Sequence, residues 1–294
     1  MSLTFRVAIL TILILFESIT SLARNTIWQN DLSLWKDAAS KSPTKARTHN
    51  NLGTVSLTLS KTTALAEFKK AISLDPTLAE PHNNLASLLN ELRRYGEALN
   101  ELKEALKIWP SYADAHNNLG NTYNGIGRYD LAEKEFKKAI LYKPSHHAAY
   151  LNLGNTYQQQ QRTREALKAY QRAIEIKPDY AQAYNSLGNL YRTQGEIDRA
   201  TRSYELAIRL KPDYAEAYNN LGNIYKKRGE IDKAIFLYQE ALRTNPSIVE
   251  IHINLANAYL AKGDISSAER ECVIAEGLSP DHPLVKKLRS KISS

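Results

Sequence analysis

Apolar residues along this chain return at three- and four-residue steps, and the whole pattern then repeats. Between residues 113 and 146, His116, Leu119, Tyr123 and Ile126 follow one another along a single helical face that stops at Gly127. Asp130 opens a second run, in which Leu131, Phe136, Ile140 and Leu141 are expected to face a core, and Pro144 closes it. Apolar positions at this spacing predict amphipathic helices, with Gly as a left-handed helix end and Pro as a stop. The unit predicted is a helix, a turn and a second helix.

The same unit can be laid over most of the chain. Pro43, Pro76, Pro110, Pro144, Pro178, Pro212, Pro246 and Pro280 are separated by 33 residues once and by 34 thereafter. With that proline at position 32, the units are 46–78, which is one residue short in the turn Ser60–Thr63, and then 79–112, 113–146, 147–180, 181–214, 215–248 and 249–282. Position 7 is always Leu, position 8 always Gly or Ala, and Ala recurs at positions 20 and 27. Position 24 is larger: Phe68, Leu102, Phe136, Tyr170, Tyr204, Tyr238 and Cys272. A helical Gly costs about 1 kcal/mol against Ala. Five of them at position 8 therefore imply a close approach between helices, read here as position 8 against the alanines at 20 and 27. A unit of this length cannot bury its own apolar face and must stack on its neighbours, so an extended binding surface is expected and a compact catalytic pocket is not.

Positions 7, 8, 20, 27 and 32 matching together in seven consecutive units resemble the tetratricopeptide repeat, TPR, over about 46–282. The resemblance implies an all-α solenoid, a right-handed superhelix of helix–turn–helix repeats whose first helices line a concave groove. It also implies a non-enzymatic scaffold that binds a protein or an extended peptide and uses no cofactor. Position 4, usually Trp in the family, is His or Tyr here.

The first-helix face carries the most informative polar pattern. Position 6 holds Asn84, Asn118, Asn152, Asn220 and Asn254, and position 9 holds Asn121, Asn155, Asn189, Asn223 and Asn257. Three residues apart on a helix is the same side, so stacking makes two rows of carboxamides. Asn is a mediocre helix former but offers both donor and acceptor. The rows have two compatible readings: a peptide-binding groove, similar to the asparagine ladder of the O-GlcNAc transferase TPR superhelix, or amide bonds between neighbouring repeats. The carboxylate-clamp TPRs need Lys or Arg at positions 2 and 5, and these read Arg47, Glu80, Asp114, Ala148, Gln182, Glu216, Glu250 and Asn50, Asn83, Asn117, Leu151, Asn185, Asn219, Ile253, which disfavours that mode. Tyr at position 11 is expected in the core. His49, His82, His116 and His252 share position 4 of different units, too far apart across packed helices to share a zinc ion at ~2.0–2.1 Å.

The ends differ from the repeats. Residues 24–45 form a junction in which Asn30 to Lys41, with Trp35 and Ala38 at the spacing of positions 24 and 27, reads as the second helix of a truncated unit. Residues 283–294 read as a cap helix with Leu284, Val285, Leu288 and Ile292 on one face. Residues 1–23 contain the apolar run Leu3 to Phe16. It is open to three readings: a membrane span over residues 3–23, a secretory signal ending at Ser21-Leu22-Ala23, or a buried helix. The anchor reading places the repeats beside a membrane on its extracytoplasmic or luminal side. The stretch Arg24 to Trp35, followed by Ser42-Pro43 and Asn50-Asn51-Leu52-Gly53, resembles the segment that joins the last membrane helix to the TPR array in GT-C-type O-mannosyltransferases. That likeness implies, as the alternative function, an accessory arm presenting acceptor polypeptide to such an enzyme.

Composition changes this picture little. The formal charge of +8 arises from 39 basic and 31 acidic residues. Their mixing, with basic groups read as lying mostly on second helices and turns, speaks against nucleic acid as partner. The single Cys272 allows no internal disulfide, and Asn245-Pro246-Ser247 is disqualified as a glycosylation site by its proline. Stacking of exposed repeat ends leaves self-association open.

Overall fold

The structure, a computed structural model, describes residues 30–292. Among these residues there are sixteen helices and no strands. The chain divides into two compact units, one up to Pro144 and the other from Ser145. In the first, α1 (Asp31–Lys41) precedes three hairpins: α2 (Ala46–Ser56) with α3 (Lys61–Leu74), α4 (Ala79–Glu91) with α5 (Tyr95–Ile108), and α6 (Ala113–Gly125) with α7 (Tyr129–Tyr142). In the second, α8 (His147–Gln159) pairs with α9 (Thr163–Ile176), α10 (Ala181–Thr193) with α11 (Ile197–Leu210), α12 (Ala215–Lys227) with α13 (Ile231–Thr244), and α14 (Val249–Lys262) with α15 (Ile265–Leu278). Helix α16 (Pro283–Ile292) follows. The apolar segment 3–23 lies outside the described residues. Among those described, no helix is long and apolar enough to cross a membrane.

Within each unit the first helices of successive hairpins touch, α2 with α4 and α4 with α6, and likewise α8 with α10, α10 with α12 and α12 with α14. Among the described residues no two second helices do so. The first helices are therefore the inner layer and the second helices the outer one.

The core is built from a repeated lock. A Cβ added at Gly154 would stand 2.5 Å from the ring of Tyr170, and one at Gly53, Gly120, Gly188 or Gly222 would lie 2.6–2.7 Å from the ring at position 24 of its own hairpin. All five rings are fully buried. The nearest neighbour of position 8 is thus the aromatic ring at position 24 of its own hairpin. The sequence obeys the pairing: where position 24 is Leu102 or Cys272, position 8 is Ala86 or Ala256. Hairpin turns pass through a left-handed residue at position 15, Gly127, Gly195, Gly229 and Gly263 at φ 75–84°, and Arg93 and Gln161 hold φ 56° and 59° at the same place.

Five residues differ locally from what the sequence suggests. Asp130 sits in the first turn of α7, whose N-cap is Arg128. Leu141 is 72% exposed and Ile126 and Leu284 lie largely in water, because each is one step off the strip that the neighbouring helix covers. Lys226 belongs to α12, a first helix, and so lies on the inner layer.

Candidate functional site

The position-6 amides are half-buried and bonded between repeats. Asn84 Nδ2 donates to Asn50 Oδ1 at 2.9 Å and Asn118 Nδ2 to Asn83 Oδ1 at 2.8 Å. In the second unit Asn220 donates to Asn185 at 3.0 Å and Asn254 to Asn219 at 2.9 Å. In all four of these bonds the acceptor is position 5 of the preceding repeat. Where position 5 is Leu151, the following position 6 is Ser186. The position-5 amides, not counted as site residues from sequence, are thus half of the ladder. That covariation at a spacing of 35 residues is the signal that reveals them.

Position 9 has a different task. Asn155, Asn189 and Asn223 each accept the hydroxyl of the buried tyrosine at position 24, from Tyr170 at 2.8 Å, Tyr204 at 2.7 Å and Tyr238 at 2.8 Å. A buried phenol left without an acceptor is costly, and burial holds all three phenols above their usual pKa. In the hairpin of Asn121, position 24 is Phe136, which has no hydroxyl, and Asn257 turns back to the carbonyl of Ile253 at 2.8 Å. Asn152 lies half-buried on the same face of α8. A carboxamide has two N–H donors and two acceptor lone pairs. These bonds use one or two of the four on most of these side chains, and the first helices that carry them form the inner layer.

The position-4 histidines are structural ties. Each Nδ1 bonds a carboxylate at position 23 of the same hairpin at 2.6 Å: His49 with Glu67, His82 with Glu101, His116 with Glu135 and His252 with Glu271. Nε2 of His49, His116 and His252 donates to the carbonyl of the preceding repeat's proline at 2.9–3.0 Å. Burial works against charge on His252, but its bonds to Glu271 and to the Pro246 carbonyl outweigh it and raise its pKa. Where position 4 is Tyr150, Tyr184 or Tyr218, position 23 is Ala169, Ser203 or Leu237. The position-11 tyrosines pack in or beside the core, with Arg162 over the Tyr157 ring at 4.3 Å and Arg199 over Tyr191 at 4.1 Å. Among the described residues no group of three or more His, Cys, Asp or Glu side chains is placed to hold a metal ion.

A stack of helix hairpins with first helices inside defines an α-solenoid. Models of the tetratricopeptide repeat match residues 77–143, 111–179, 169–202 and 215–248, and a further TPR repeat model matches 188–229. Together these run from 77 to 248, more than half of the chain, which belongs to the TPR family. TPR repeats in general mediate protein–protein interaction and are not themselves enzymes.

Among solved structures, the chain is similar to the APC/C hetero-tetramer Cut9–Hcn1, with 17% identity and a TM-score of 0.70, over 90% of this chain and 52% of that one. It is also similar to PilF of Pseudomonas aeruginosa, with 19% identity and a TM-score of 0.61, over 72% of this chain and 97% of that one. The chain thus spans about half the length of the first of these, and at such identities the likeness is one of fold. The sequence matches none of the curated proteins. The likenesses to O-GlcNAc transferase and to GT-C-type enzymes rest on sequence motifs alone.

Proposed function

We propose that the protein is a non-enzymatic scaffold whose inner face holds an extended polypeptide segment. The observation that carries this reading is the row of half-buried carboxamides whose remaining donors and acceptors are spaced by the repeat. Such a row matches the alternating N–H and C=O groups of a peptide main chain and is indifferent to its side chains. The apolar segment 3–23 supports placing the scaffold beside a membrane, with its repeats on the extracytoplasmic or luminal side.

The test must separate binding from folding, because Asn118 and Asn220 also tie repeats together. Asn121 has no tyrosine hydroxyl to satisfy, so Asn121→Ala should weaken capture of extended peptides several-fold and leave the thermal midpoint in place. A bound peptide should also lose most of its affinity when its backbone amides are N-methylated. Unchanged binding of the methylated peptide would remove the main-chain reading.

A further inference from the structure

Position 12 continues the inner strip of the first helices, one turn beyond position 9. It reads Leu57, Asn90 and Asn124 in the first unit, and Gln158, Arg192, Lys226 and Leu260 in the second. Charge therefore enters this strip only at α10 and α12. Helix α16 extends it: counted in the repeat register, Lys287 and Lys291 take positions 5 and 9, where the other first helices carry mostly amides.

The contacts bring these groups together. Lys291 Nζ lies 3.3 Å from Asn257 Oδ1, and Lys226 Nζ lies 6.0 Å from the ring centroid of Tyr238, whose hydroxyl is held by Asn223. The outer edges of the same repeats are neutralised, Arg228 by Asp198 at 2.7 Å and Lys262 by Asp232 at 2.6 Å. Among the described residues no carboxylate pairs with Lys226 in this way. Burial, and after it the ammonium of Lys291, holds its pKa below the usual lysine value, so the two cations crowd one another. Beside them a hollow of about 410 Å³ lies between α14 and α16, lined by Asn254, Asn257, the exposed Leu284, Lys287 and Lys291. A second, of about 640 Å³, is lined by Arg192, Asn223, Ile224 and Lys227 together with Ile197 of α11 and the Asp198–Arg228 ion pair, which leaves Arg192 and Lys227 as its uncompensated cations.

We propose that the inner face of the second unit, from Arg192 through Lys226 to Lys287 and Lys291, receives an acidic polypeptide segment whose carboxylates meet these cations while Asn223 and Asn257 hold its backbone. The proposal rests on the inner-face reading above and adds the chemistry of the partner. A polypeptide fits better than a nucleic acid because Glu216 and Glu250 stand at position 2, the opposite end of α12 and α14. An unbroken row of phosphates crossing the face would meet them, whereas a peptide can place carboxylates along one edge only. Four first helices spaced ~8–10 Å apart match about eight to nine extended residues at ~3.3 Å each.

The experiment is fluorescence anisotropy of the full chain with three peptides of that length: one rich in Asp and Glu, its Asn/Gln counterpart, and one rich in Lys. A single-stranded oligonucleotide forms a fourth arm. The acidic peptide should bind about ten-fold more tightly than the amide peptide at low salt, and the preference should shrink as salt screens it. Lys226→Met and Lys291→Met should each cut the preference several-fold and together abolish it, with the helical circular-dichroism signal unchanged. Lys226→Glu with Lys291→Glu should turn it toward the basic peptide. Equal binding of the acidic and amide peptides would overturn this proposal and leave the main-chain reading standing. Tighter binding of the oligonucleotide, lost in the same lysine variants, would overturn it in favour of nucleic acid. Failure of every peptide to bind would remove both readings.

Discussion

At the scale of single residues, the fold depends on a ring filling the space where a Cβ would be. Ala is the better helix former by about 1 kcal/mol, yet at Gly154 its methyl would press on the buried Tyr170 ring, and such overpacking costs ~1–3 kcal/mol. Gly154→Ala is therefore expected to destabilise the second unit. Adding Tyr170→Leu, which recreates the Ala86 and Leu102 pairing of another hairpin, should recover part of the loss. A double-mutant cycle measured by urea unfolding should show coupling of about 1 kcal/mol or more, and strict additivity of the two changes would refute the lock. From sequence, the five glycines announced a close approach. Size alone pointed to small residues as the partners, whereas the covariation of positions 8 and 24 names the ring that lies nearest. The Asn rows were legible in the same incomplete way. Positions 6 and 9 stood out by composition, but the acceptors at position 5 and the tyrosine hydroxyls at position 24 emerge only when one repeat is read against another.

At the scale of the element, each first helix with His at position 4 is fastened to its own second helix and, in three of four cases, to the proline that ends the repeat before it. His252 shows what this implies for pH. Its folded pKa is raised above the ordinary value near 6.5, so its contribution to stability is complete below that value and is lost as pH rises through the higher folded one. His252→Gln should lower the thermal midpoint of the C-terminal repeats most near pH 5.5, by an amount corresponding to roughly 1–3 kcal/mol for a charge-assisted bond, and progressively less toward pH 9. Midpoints of the two proteins that stay the same distance apart across that range would show that His252 does not carry the charge in the tie. The helix pairs themselves were readable from periodicity, since apolar spacing, the turn glycines and the prolines all mark the same limits. The exposed faces of Leu141 and Leu284 were not, because periodicity gives the apolar strip and only the neighbour's position decides which edge of the strip is covered.

For the molecule as a whole, a stack in which each repeat touches only its neighbours has a stability that is nearly a sum of local terms, and it ends wherever a face is left uncovered. Helix α16 covers the last one. Val285 and Leu288 pack with Ile253, Ala256, Ala268, Cys272 and Ala275 in one buried cluster, and Arg289 reaches Glu276. The lone Cys272, fully buried and with burial holding its thiol above the usual pKa, is a reporter placed inside that cluster. A chain ending at His282 should expose it. Alkylation by iodoacetamide, slow in the full chain, should accelerate by an order of magnitude or more if the cap contributes the ~1.5–3 kcal/mol expected for each fully buried aliphatic side chain, while the unfolding transition of residues 30–144 stays where it was. Val285→Asp in the full chain should act in the same direction, since it places a charge against the same cluster. If Cys272 stays as protected in the shortened chain as in the full one, the last repeat closes itself, and neighbour-by-neighbour stacking does not describe how this end is held.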